Sequence, residues 1–153
     1  MDSEKNEGID LQKYLEEKGF KFESKLGFPG SSVSSGEFEP AIMGRSEYQA
    51  NEFAFWRNGS SLFVMAREQI QEGSGYKWSL GTAFYINAID SASPNVVNAF
   101  IVKNSGLHIG TDITGTPTLE GGVLYLSNYN FTARVGHDHK AKNVKLQATL
   151  PSS

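Results

Sequence analysis

From Phe20 onward, apolar and polar residues alternate in short runs, and almost every run ends on glycine, asparagine or serine. Phe20 and Phe22 alternate with Lys21 and Glu23. Residues 52–57 and 62–67 flank Asn58-Gly59-Ser60-Ser61, where Asn-Gly is a strong hairpin signal. Tyr76, Trp78, Leu80, Thr82, Phe84, Ile86 and Ala88 then alternate along one strand, with room for a bend at Gly81. A second hairpin is predicted for 96–103 and 107–114 across Asn104-Ser105-Gly106. Strands follow at 123–135 and 143–150, with 136–142 as a turn. A Gly/Ser/Pro loop is expected at 27–36, and a short strand at 37–43 whose Pro40 argues for a sheet edge.

Only one stretch has helical spacing. Asp10 is placed to cap a helix with Leu11, Tyr14 and Leu15 on one face, Lys18 in the last turn and Gly19 as the stop. So short a helix does not stand alone in water, so its apolar stripe must lie on something, most simply a sheet edge or a barrel end. Eight or nine strands with frequent turns, and no βαβ alternation, predict a mainly β fold. The expectation is an antiparallel β-sandwich, jelly-roll-like, with one short N-terminal helix. Residues 1–8 read as a disordered leader or linker, and 9–153 as a single domain.

Composition sharpens this picture in two places. The 153 residues include no cysteine, which excludes disulfides and thiolate metal or redox sites. Charge is uneven: residues 1–72 hold 13 acids against 8 bases, and 73–153 hold 4 against 6. Neither part is basic enough for a phosphate backbone, so no nucleic acid partner is expected. Between Tyr76 and Ala133 only Lys77, Asp90, Lys103, Asp112 and Glu120 are charged. That deficit must be hidden in the core, in a partner subunit or under a ligand. No run is apolar enough for membrane insertion. Localisation stays open, with an extracellular, cell-surface or virion-associated setting favoured over the cytoplasm.

Candidate chemistry is sparse. No Gly-x-Ser-x-Gly elbow accompanies the three histidines, and no enzyme or cofactor is expected. Glu37 and Glu39, at i and i+2, would point the same way on a strand, as paired carboxylates do in glycosidases; two exposed acids is the simpler reading. His137 and His139 could share a face and supply two nitrogen ligands, but nearby Arg134, Lys140, Lys142 and Lys145 disfavour a dication, and a solvated turn is expected there. Asp90–Asn95 offers too few carboxylates for calcium.

Aromatics carry the remaining signal. Trp56, Tyr76, Tyr85, Tyr125 and Tyr129, with Asn87, lie on predicted strands poor in charge, where flat rings and neutral amides suit a polyhydroxylated ligand. Trp78 and Phe84 belong to the opposite, core-facing side. Residues 55–67 followed by 82–89 resemble the strand pattern of the family-9 carbohydrate-binding modules, over a short stretch that lacks those modules' C-terminal strands. The leading expectation is therefore a recognition domain for a carbohydrate or cell-surface glycan. Two alternatives stand beside it. One is the structural or receptor-binding head of a homo-oligomer, such as a trimeric virion fibre. The other is a β-barrel holding a small apolar ligand among Phe53, Phe55, Phe63, Phe84 and Phe100.

Overall fold

The computed structural model describes residues 8–26 and 32–150. Twelve strands and one helix follow in the order β1 (Ile9–Asp10), α1 (Leu11–Glu17), β2 (Lys21–Leu26), β3 (Ser32–Ile42), β4 (Arg45–Gln49), β5 (Glu52–Asn58), β6 (Ser61–Glu72), β7 (Gly75–Asn87), β8 (Asn95–Lys103), β9 (Gly106–Thr114), β10 (Pro117–Glu120), β11 (Val123–Val135) and β12 (His137–Thr149). All pairings are antiparallel. The strands form one sheet in the order β2-β5-β6-β7-β8-β9-β11-β12-β3-β4, with β1 added on β9 and β10 on β11. This is chiefly a meander, so the order departs from the repeated Greek keys of the expected jelly roll.

The sheet bends at β9, which pairs with β8 through its first residues and with β11 further on. Two leaves result, β2 to β9 and β9 to β4, and the arrangement is sandwich-like. Their facing sides enclose the main core, where Phe53, Phe55, Phe84, Tyr129, Phe131 and Leu146 meet. Phe84 sits centrally, its ring edge-on to Tyr129 at 5.7 Å and to Phe131 at 6.3 Å.

A second cluster lies on the outer side of the first leaf. Asp10 caps α1, its Oδ1 accepting from the Lys13 amide at 2.9 Å, and Gly19 ends the helix at φ 76°. Tyr14 and Leu15 then pack with Phe20 onto Phe63, Met65, Ala83, Phe100 and Val102. The helix thus lies across a sheet face rather than an edge. β7 and β8 are consequently covered on both sides, by α1 and by the second leaf. That layering accounts for much of the charge deficit without a second subunit.

The free edge of β4 is held against β6 by side chains. Glu68 Oε1 accepts from the Gln49 amide at 3.0 Å and from Arg45 Nη2 at 2.9 Å. Asn51 exchanges two bonds with the main chain of Gln69. Beneath this seam the buried Tyr48 hydroxyl bridges Ser34 Oγ at 3.0 Å and Thr82 Oγ1 at 2.6 Å, tying the leaves together. Burial pushes the Tyr48 hydroxyl up to about 12, against the draw of those two hydrogen bonds, and burial pushes Tyr129 up to about 12 as well.

Tyr48→Phe strands two buried hydroxyls and is expected to cost about 1–3 kcal/mol in denaturant titrations at neutral pH. The folded protein also holds phenol protons that the unfolded chain releases near pH 10. Stability is therefore intact below about pH 10 and falls as pH rises towards about 12. Tyr48→Phe should lose less over that window than the parent, as midpoints measured at both ends will show.

Several local expectations change. Residues 32–36 belong to β3, not to a loop, and 27–31 lie outside the described residues. β3 is interior, between β12 and β4; Pro40 is tolerated because β4 pairing lapses between Glu37 and Ile42. In the first hairpin Asn58 pairs with Ser61, leaving Gly59-Ser60 as the turn, with positive φ (60°) at Gly59. That is the pattern of a type II′ turn rather than a type I′ turn on Asn58-Gly59. The expected turn at 136–142 shrinks to Gly136, since Val135 pairs with His137. The leader expected at 1–8 falls, apart from Gly8, outside the described residues.

Candidate functional site

The aromatic residues expected to form a platform are not brought together. Trp56 and Tyr85 do face away from the main core, but α1 and the chain after it cover that side. Trp56 packs between Phe22 and Phe63, and Tyr85 meets Phe20 edge-on at 5.1 Å. Asn87 is partly buried and its Oδ1 accepts from Ser61 Oγ at 2.6 Å. Tyr129 lies inside the main core, 2% exposed. Only the backbone of Tyr76 is described. Tyr125 alone sits partly exposed on the outer side of the second leaf. The five phenylalanines expected around an apolar cavity divide between two cores: Phe53, Phe55 and Phe84 lie between the leaves, Phe63 and Phe100 under α1.

His137 and His139 lie on strand β12, their ring centroids 6.1 Å apart. His137 is exposed, whereas His139 is buried with Nδ1 2.7 Å from the Pro40 carbonyl. The main chain thus engages one of the two rings. Among the described residues, no three His, Cys, Asp or Glu side chains cluster in a way that could hold a metal ion. No described helix is long and apolar enough to cross a membrane.

A concave feature lies elsewhere, on the outer side of the second leaf, which no described element covers. A row of β-bulges crosses neighbouring strands there. Between its pairings with Asn130 and Thr132, β9 has one residue more than β11. β11 gains one on β12 between Leu126 and Tyr129, and β12 gains one on both neighbours between Ala141 and Lys145. Each extra residue is absorbed by a left-handed side-chain-bearing position: Asp112 at φ 55°, Asn128 at 53° and Asn143 at 53°. Asp and Asn tolerate this conformation better than other residues do, and bulges re-aim side chains near functional sites.

Hydrogen bonds knit the bulges together. Asn130 Nδ2 donates to the Asn128 carbonyl at 2.7 Å, and its Oδ1 accepts from the Asn143 amide at 3.1 Å. Asn143 Nδ2 reaches Glu37 at 3.0 Å. The pleat is broken along this row, leaving a groove of about 460 Å³ rimmed by Glu39, Asp112, Asn130, Thr132, Lys140 and Lys142, over the strand positions Phe131 and Ala141, whose side chains turn away into the main core. A smaller hollow of about 200 Å³ continues it over Ser35, Glu37, Glu47 and Gln49.

Within the groove Lys142 Nζ donates to Glu39 Oε1 at 2.8 Å. That hydrogen bond and the ammonium charge hold the Glu39 carboxyl below its usual range, and Glu39 raises Lys142 in turn. Asp112 and Lys140 make no hydrogen bond or ion pair with described residues and point into the opening. The rim therefore offers carboxylate acceptors, an ammonium donor, an amide and a hydroxyl. Sequence reasoning passed over Asp112, Asn130, Thr132 and Lys140. The available signal was an Asn or Asp breaking the alternation inside a long strand.

No known family matches the chain, and no curated protein or solved structure matches it. The likeness of 55–67 and 82–89 to carbohydrate-binding modules is thus not supported by any wider match.

Proposed function

We propose that the chain is a non-enzymatic recognition domain that binds a carbohydrate in the bulge-lined groove of the second leaf. One observation carries this reading: three left-handed Asp and Asn residues on neighbouring strands accompany a groove whose rim is polar and charged. Backbone held in a sparsely populated conformation at several aligned positions is a mark of function. Sugars present hydroxyl hydrogens for Asp112 and Glu39, and hydroxyl oxygens for Lys140 and Thr132. The site is polar and shallow, which replaces the aromatic platform as the seat of binding. An extracellular, cell-surface or virion-associated setting goes with this function. The trimeric-head reading rested on the low-charge stretch, and the covering of β7 and β8 on both faces supplies most of its cause.

A glycan array probed with the parent chain and with a Thr132→Val, Lys140→Ala double variant tests the proposal. Both positions project from the sheet, so the variant should keep its stability to within about 0.5 kcal/mol. Its glycan signals should drop at least about tenfold, the loss of two polar contacts at roughly 0.7 kcal/mol or more each. Signals that survive in the variant, or an array with none at all, would overturn the assignment.

A further inference from the structure

We infer that the groove is one end of a longer track along β11 and β12, and that its ligand is a linear acidic oligosaccharide of the uronic acid type. This deepens the function proposed above and rests on it. Lys140, Lys142 and Lys145 all project from the outer side of β12, which lies in the middle of the second leaf. Glu39 engages Lys142, while Lys140 and Lys145 make no hydrogen bond or ion pair with described residues. Two ammonium groups, separated by the bulge at Asn143, thus stand on one face without a direct ion pair among the described residues, Lys140 within electrostatic reach of Glu39. At roughly 3.3 Å per strand residue they lie about 13–16 Å apart.

The far end of the track has its own furniture. Tyr125 lies on the same outer face, directly opposite Gln147 and diagonal to Lys145. Its partly exposed ring and the neighbouring ammonium make a second subsite, where a sugar ring can stack while its carboxylate meets the lysine. At the first subsite Lys140 takes the carboxylate, and Asp112 and Asn130 take hydroxyls. Charge-assisted hydrogen bonds to carboxylates favour an acidic chain over a neutral one. Glu37, Glu39 and Asp112 stand alongside and repel a ligand charged at every step, which disfavours a phosphate backbone. The ligand must therefore carry spaced charges between stretches of hydroxyl.

Calorimetric titration of the 153-residue chain tests this. The probes are linear galacturonic, mannuronic and glucuronic acid oligomers of increasing length, each with its methyl-esterified counterpart. Affinity should rise with length for at least one acid series, exceed that of the ester, and lose this advantage as salt is raised. Tyr125→Ala should weaken the longest oligomers about three- to tenfold. Lys145→Gln should weaken them about two- to fivefold. Neither variant should change binding of the shortest oligomer, and circular dichroism should match the parent for both. Esters that bind as well as acids, affinity independent of length, or variants that affect short and long oligomers alike would overturn the track. So would a single-stranded oligonucleotide of equal charge that binds as tightly. If neutral sugars bind and Thr132→Val, Lys140→Ala abolishes that binding while acids gain nothing, the groove stands and the acidic track falls. If no saccharide of any kind binds, both fall.

Discussion

Gly81→Ala is expected to destabilise the fold by more than about 4 kcal/mol, close to the whole stability of many domains. Gly81 is buried on β7 and pairs directly with Arg67 of β6. A Cβ there would sit 2.2 Å from the Ala66 carbonyl oxygen and 2.4 Å from the Arg67 Cα. Both are main-chain atoms, so no side chain can rotate away and the two strands would have to part. The surroundings add to the cost. Arg67 Nε donates to the buried Glu52 carboxylate at 2.6 Å, and Nη1 donates to the Asn104 carbonyl. Separating β6 from β7 pulls Arg67 away from the Asn104 carbonyl, so a hydrogen bond of the buried Arg67–Glu52 pair is lost as well. Denaturant titration gives the result directly. A soluble variant with a midpoint near that of the parent would show that β6 and β7 do not approach this closely.

The next largest effect is expected at Leu15. Its side chain is 1% exposed and lies on the outer side of the first leaf beside Tyr14 and Phe20. Leu15→Ala removes buried methyl groups and leaves a space that seven residues of helix cannot refill, so a loss of about 2–5 kcal/mol is expected. Trp56 fluorescence should redden before global unfolding, because loosening α1 uncovers the aromatic cluster around Phe63. A variant with unchanged midpoint and unchanged emission would mean that α1 does not depend on this contact.

That helix also shows where sequence reasoning stopped. Asp10, the Leu11-Tyr14-Leu15 stripe and Gly19 announced a short helix that had to lie on something, and alternation placed Phe84 inward and Tyr85 outward. Both statements hold. What alternation cannot carry is which outward face another element then covers. Because α1 crosses the first leaf, the rings that looked free in the chain are packing, and the open surface belongs to strands whose outward residues are ordinary Lys, Glu and Thr. Boundaries failed for local reasons. β4 and β10 are too short to show a period, and His137–Lys142 was read as a turn because its apolar positions are occupied by His139 and Ala141. The groove was hidden because each bulge shifts the alternation by one residue, which blurs the pattern used to find strands.

The side-chain seam between β4 and β6 has a consequence for how the protein behaves in company. An unpaired strand edge is a template on which another chain can extend the sheet, and proteins with long bare edges aggregate by this route. At β4 the Gln49 amide is already spoken for by Glu68, and at the exposed end of β6 the main chain of Gln69 is matched by the amide of Asn51. A stranger's backbone approaching either edge would meet occupied donors and a charged Arg45–Glu68 pair. On this side the open sheet resists the addition of a further strand.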